Sequence, residues 1–164
     1  MGIEIERKFL VLVDDWRPYV TGSERIRQGY LANTDRCSIR VRIQPKGASL
    51  TIKSATGGSL RREFEYGVPM ADANLILAEL CGGRHIEKVR RRVPHGTHIW
   101  VIDEFAGANS GLVLAEIELA STDEKFLQPA WLGPEVTKDT RYLNANLAAR
   151  PFSTWSYSDR EEPR

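Results

Sequence analysis

The chain has 164 residues, enough for one domain with a sizeable core, and at 41% hydrophobic and 27% charged it has a globular composition. Its 23 Lys and Arg nearly balance its 22 Asp and Glu, so the net charge of +1 gives no general argument for nucleic acid or a membrane surface. Cys37 and Cys81 make neither a disulfide framework nor a metal-ligand spacing, and no apolar stretch approaches the roughly 20 residues that span a bilayer.

Glu4, Glu6, Arg7 and Lys8 break any apolar leader, so cytoplasm is the expected location. Strand periodicity then dominates. Residues 3–12, 25–32, 37–44, 49–54, 60–68, 85–94, 97–105 and 112–119 alternate or are rich in β-branched and aromatic residues. Asn33-Thr34-Asp35, Pro45-Lys46-Gly47, Gly57-Gly58 and His95-Gly96 read as turns, which implies antiparallel hairpins. Helices are fewer. Residues 69–81 end on Gly82-Gly83. Ser121 to Glu124 has the form of a capping box and predicts a short helix. Residues 139–150 are a third helix, and 14–20 a single turn. The expected fold is mainly β (α+β), with a domain over 1–152 and a polar tail over 153–164 that is expected to be disordered from Ser158 on.

Within a strand, alternate side chains share a face. Glu4, Glu6 and Lys8 share one; so do Arg40 with Arg42, Thr51 with Lys53, Glu63 with Glu65, Lys88 with Arg90 and Arg92, and Glu116 with Glu118. A solvated strand face usually mixes polar types, whereas most of these are nearly pure in sign. Like charges two apart sit roughly 6–7 Å from each other, a repulsion that an oppositely charged ligand would relieve. A closed eight-stranded antiparallel barrel, apolar outside and charged inside, provides the place. Its cations suit a polyanion and its carboxylates suit a hard divalent cation, which together describe a metal–polyphosphate complex, magnesium above all.

Glu4-Ile5-Glu6-Arg7-Lys8 resembles the Glu-x-Glu-x-Lys signature of the CYTH proteins, or triphosphate tunnel metalloenzymes. The resemblance continues through Gln28-Gly29-Tyr30, Arg40-Val41-Arg42, Leu50-Thr51-Ile52-Lys53, Arg62-Glu63-Phe64-Glu65, Lys88-Val89-Arg90, Asp103-Glu104-Phe105, Gly111-Leu112, Ala115-Glu116-Ile117-Glu118, Val136-Thr137 and Tyr142-Leu143-Asn144. It implies an eight-stranded tunnel and Mg²⁺- or Mn²⁺-dependent attack on triphosphates. The short form looks most like the bacterial inorganic triphosphatases, which cleave tripolyphosphate to pyrophosphate and phosphate. An adenylate cyclase, a nucleoside or thiamine triphosphatase and a non-catalytic polyphosphate-binding module are the alternatives.

With phosphoryl transfer as the chemistry, metal binding is assigned to Glu4, Glu6, Glu116 and Glu118, with Asp103 added. Lys8, Arg40, Arg42, Lys53, Lys88 and Arg90 are assigned to phosphate. Glu4, Glu6, Lys8, Glu116 and Glu118 form the catalytic set. Glu63 and Glu65 are left between a second metal, a water and pairing with the cations. Arg92 reads as rim or phosphate contact, Arg62 and Arg91 as outward, and His85, His95 and His98 as surface. Tyr30 reads as packing or facing the interior. Trp16, Trp100, Trp131 and Trp155 read as core, leaving no platform for a nucleobase. The expected partner is a small triphosphate, with no nucleic acid and no membrane, and a homodimer is compatible with the sequence.

Overall fold

The computed structural model describes residues 5–54 and 62–161. Its strands are β1 (Ile5–Val11), β2 (Gly22–Asn33), β3 (Cys37–Gln44), β4 (Gly47–Ser54), β5 (Glu63–Val68), β6 (His85–His95), β7 (His98–Phe105), β8 (Val113–Leu119) and β9 (Leu132–Glu135). They form one antiparallel sheet in the order β5-β4-β3-β2-β6-β7-β8-β1-β9. The sheet therefore has nine strands where the sequence predicts eight. The extra one is four residues long and carries Gly133 and Pro134, which hides it from any periodicity argument. Among the described residues β5 and β9 do not pair, so the closed eight-stranded barrel is not what the hydrogen bonding displays. The Gly57-Gly58 turn lies outside the described residues.

Cross-strand pairing carries the parity of single strands across the whole sheet. Lys8 stands opposite Glu116, Arg90 opposite Asp103, Gln28 opposite Arg42, Arg40 opposite Thr51, and Thr51 opposite Glu65. The charged residues thus share one face from β1 to β5. That face is curled. Leu10, Leu114, Phe105, Ile86 and Tyr30 lie on it, on β1, β8, β7, β6 and β2, yet they pack in a single cluster. In a flat sheet β1 and β2 would be four spacings, or roughly 19 Å, apart.

Two clusters cover the reverse face. One gathers Phe9, Val93, Trp100, Ile102, Ala115 and Ile117 under Trp16 and Trp131. The other sets Val41 and Ile43 against Ala73, Leu77 and Cys81 of the helix above them. That helix, α1 (Met70–Leu75), starts on Pro69, continues as a π-helical turn over Ile76–Leu80 and stops at Gly82 and Gly83, both with positive φ. All four tryptophans are buried and both cysteines are free thiols.

Other local expectations change. No helix follows Ser121: the Glu124 side chain accepts the Ala120 N–H, but Phe126 is drawn into the aromatic cluster of Phe9 and Trp100 and Pro129 follows. The third helix is split, with a 3-10 turn over Thr140–Tyr142, extended backbone at Leu143 and then α2 (Asn144–Ala149). The region expected as a loose tail is folded through α3 (Tyr157–Glu161). Trp155 packs on Tyr142 in the cluster of the charged face, and Arg141 ties Asp139 to Asp159. The polar composition of this stretch masks one buried tryptophan and an aspartate that pairs with Arg141.

Gly29 sets how closely α1 approaches β2. A Cβ there would lie 2.6 Å from both Cys81 Sγ and Leu77 Cδ1. Gly29→Ala is expected to lower stability by about 1–3 kcal/mol through overpacking, read as a lower urea midpoint at unchanged slope.

Candidate active site

The charged face has two halves. In the first, cations are held by a carboxylate. Asp103 on β7 is wholly buried and accepts Lys88 Nζ at 2.5 Å and the Arg90 Nε and Nη2 groups at 2.8 Å each. Burial alone would raise the Asp103 carboxyl, but the Lys88 charge and the Arg90 fork outweigh it and hold it well below the usual carboxylate range. Burial pushes the Lys88 ammonium down to about 8 against the pull of Asp103, so it stays charged at neutral pH. Lys88 also donates to Asn144 Oδ1 at 3.2 Å, which fastens α2 to the face. Arg90 Nη2 reaches on to Glu116 at 3.2 Å.

The other half has cations without such a partner. Among the described residues neither Arg40 nor Arg42 has a carboxylate in ion-pair range. Arg40 Nη2 donates to Thr51 Oγ1 at 3.3 Å, and its buried Nε has no acceptor. Arg42 Nε donates to Gln28 Oε1 at 3.0 Å. Burial, then repulsion by Arg40 and Arg90, push the Arg42 guanidinium down to about 10. Lys53 pairs with Glu63 at 3.0 Å, and Glu65 accepts from Thr51, so both β5 carboxylates engage groups of β4.

Carboxylates collect on β1 and β8. Glu6 stands directly opposite Glu118, and Glu116 lies next along, opposite Lys8. Lys8 Nζ is 3.1 Å from Glu116 and 3.4 Å from Glu6. Burial works against that ammonium, but Glu116 and Glu6 outweigh it and raise its pKa. Like charges directly across a strand pair repel, and Glu6 and Glu118 stand in that relation. Oxygen donors of this kind suit a hard divalent cation that keeps several waters. Among the described residues no three carboxylate, imidazole or thiol groups already converge as a closed metal cage. Glu4 lies outside the described residues.

Three further groups belong to this face. Gln28 is wholly buried between Arg42 and the Tyr30 hydroxyl. Tyr30 packs and faces the charges at once: burial raises its phenol, and Arg40, Arg42 and, across the curl, Lys8 lower it in part. Glu24 receives Arg92 Nη2 and Gln44 Nε2, both at 3.1 Å, which places Arg92 at a rim. Strand parity puts Gln28 on this face, but its neutrality hides it in a pattern of charges. Glu24 was missed because β2 begins three residues before the predicted strand. Arg91 pairs with Glu104 on the reverse face. His85 and His98 are held by Leu77 O and Glu124 respectively.

The CYTH domain model matches residues 2–152. The chain is 43% identical over 155 residues to the inorganic triphosphatase of Acetivibrio thermocellus, covering 94% of this chain and 99% of that protein. It is 39% identical over 151 residues to the inorganic triphosphatase of Nitrosomonas europaea, covering 88% and 96%. Among solved structures it resembles the inorganic triphosphatase NE1496, with a TM-score of 0.68 at 35% identity over 90% of this chain and 95% of that one.

Asp103 governs the charge balance of the first half. Asp103→Asn leaves Lys88 and Arg90 buried with their main anion gone, and is expected to cost about 3–5 kcal/mol at neutral pH, measured by urea unfolding. Because the folded carboxyl titrates below its unfolded value of about 3.9, its stabilisation is fully present above that value and fades as pH falls through the folded pKa. The variant and the parent should therefore converge in stability only in strong acid.

Proposed function

The chain belongs to the CYTH family, and on that premise we propose that it hydrolyses inorganic tripolyphosphate to pyrophosphate and phosphate with a divalent metal, Mg²⁺ or Mn²⁺. The observation that carries the reading is the half-buried Arg40–Arg42 pair, without a carboxylate in ion-pair range among the described residues, on a curled face whose far side holds Glu6, Glu116 and Glu118. A triphosphate satisfies the arginines, and a metal on it satisfies the carboxylates. The curl supports a tunnel-like enclosure of the substrate.

Glu6, Glu116 and Glu118, joined by Glu4, would hold the metal. Bound there, it supplies Lewis-acid polarisation of the terminal phosphoryl group and lowers the pKa of a water. The protein's own part is positioning and charge neutralisation. Arg40 and Arg42 offer planar forks to the phosphate oxygens. Lys8, between Glu6 and Glu116, neutralises charge at the carboxylate side. Lys88 and Arg90 add positive potential, although their direct bonds go to Asp103. A water oxygen attacks the terminal phosphorus, the bridging P–O bond breaks, pyrophosphate leaves with that oxygen, and the water's proton is released. The packed cluster of Tyr142, Leu147 and Trp155 keeps bulk water from one end of the face.

Among the described residues no exposed aromatic of a strand shares the face of the charges. Phe64 and Tyr66 stand on β5 with the parity opposite to Glu63 and Glu65, and the exposed Tyr19 lies in the 3-10 turn before β2. The aromatics of the charged face, Tyr30 and Phe105, are buried. Two free thiols fit the reducing conditions of cytoplasm.

Activity on tripolyphosphate should vanish in excess chelator and return with Mg²⁺ or Mn²⁺; full activity in chelator would rule out the metal. In steady-state kinetics under one metal condition, tripolyphosphate should exceed ATP in kcat/KM. Pyrophosphate should be poorer by on the order of 10²-fold, since it forfeits about two charge-assisted hydrogen bonds. Arg42→Ala should narrow that gap. ATP as the best substrate, or release of cyclic AMP, would favour a nucleotide-processing enzyme instead.

A further inference from the structure

Two half-buried arginines on the charged face are held in different ways. Arg90 gives its Nε and Nη2 to both oxygens of Asp103, a bidentate pair that fixes its geometry and sets a carboxylate against its charge. Arg42 gives its Nε to the neutral carboxamide of Gln28 at 3.0 Å. Gln28 is wholly buried and stands directly opposite Arg42 in the β2–β3 hairpin.

The direction of each hydrogen bond is forced. An arginine Nε can only donate, so the Gln28 oxygen must face it. The Gln28 amide nitrogen then points the other way and donates to the Tyr30 hydroxyl oxygen at 3.2 Å. Both ends of the carboxamide are occupied, and one rotamer is fixed. A carboxylate would be the ordinary partner for a buried arginine, and Glu has almost the same shape as Gln. The neutral residue leaves Arg42 charged and repelled by Arg40 and Arg90, with its guanidinium brought down to about 10 by burial and that repulsion. This arrangement is unfavourable for the empty fold and favourable for an incoming anion.

We propose that Gln28 is a positioning residue of the phosphate site: its carboxamide fixes the guanidinium of Arg42 without neutralising it, so that the Nη groups remain available to a phosphate. The proposal rests on the triphosphatase reading for its ligand. Gln28 touches no substrate and acts through Arg42. Its chemical neutrality is the functional property, because Glu at this position would anchor Arg42 equally well and take the place of the phosphate.

The test uses the full-length chain and Gln28→Glu, with inorganic tripolyphosphate as the probe. Calorimetric binding without metal and steady-state kinetics with Mg²⁺ are both measured, alongside thermal melting. Gln28→Glu should melt at or above the parent temperature, because it gives the half-buried Arg42 a carboxylate partner. It should weaken tripolyphosphate binding and raise KM by on the order of tenfold or more, with kcat changed less than about threefold. Gln28→Met, which cannot hold Arg42 but leaves its charge, should raise KM by a smaller factor and melt lower; it carries the test if Gln28→Glu does not fold. Parent-like affinity and KM in the folded variant, or a fall in kcat at unchanged KM, overturns the proposal. A parent protein that binds tripolyphosphate without cleaving it overturns the enzymatic reading and leaves the affinity comparison standing. A parent that neither binds nor cleaves it overturns both.

Discussion

Like charge crowded on one face of a curled sheet is the constraint on which the rest of this structure depends. In water, unit charges roughly 6 Å apart interact weakly; on a buried face the same separation costs several times more. The fold answers it locally. Asp103 is sealed under Lys88 and Arg90, Glu116 is shared between Lys8 and Arg90, and Glu24 receives Arg92 and Gln44. Each carboxylate sits where two strands bring it against a cation, so the network depends on register. A slip of one residue would send the whole charged set to the apolar face.

The apolar clusters secure that register. Trp100 and Trp131 meet edge to face at 5.6 Å behind β7 and β8, and Val41 and Ile43 pack beneath α1. The C-terminal segment does something different, since it buries Tyr142, Leu147 and Trp155 against the charged face itself. Asn109 fixes its approach by accepting the Phe152 N–H at 2.8 Å, and Asn144 joins it to Lys88. One end of the face is therefore dry and apolar and the remainder polar. That division lowers the dielectric around Lys88 and Asp103 and strengthens their pairing.

Much of this was legible in the sequence because strand parity is a strict rule. The period of two put Lys8, Arg40, Arg42, Lys53, Lys88, Arg90 and Glu116 on one face, and the cross-strand pairs keep them there. What parity lacks is the partner. It could not tell that Asp103, one of the carboxylates expected to bind metal, is enclosed by Lys88 and Arg90, or that Lys88 is itself buried. Nor could it see β9, whose Gly133 and Pro134 give no periodic signal, or the folded end of the chain, where Trp155 and Arg141 act through contacts distant in sequence. Gln28 escaped for another reason. A search for charge passes over a neutral amide, although the amide's neutrality matters here.

The cations differ in how completely the protein has neutralised them, and this bears on selectivity under the proposed reading. Lys88 and Arg90 are committed to Asp103, so they add field more than direct bonds. Arg40 and Arg42 lie on β3, five strand steps from the carboxylates of β1 in sheet order. Curling brings the two sides toward each other, and a ligand must reach both to engage both. A single phosphate relieves the arginines and leaves the facing carboxylates repelling one another. A longer polyphosphate with its metal relieves both at once, so its second contact follows without a second loss of translational freedom. Preference for chain length then arises from the separation of two charge sets, one positive and one negative, without any group that recognises a third phosphate as such.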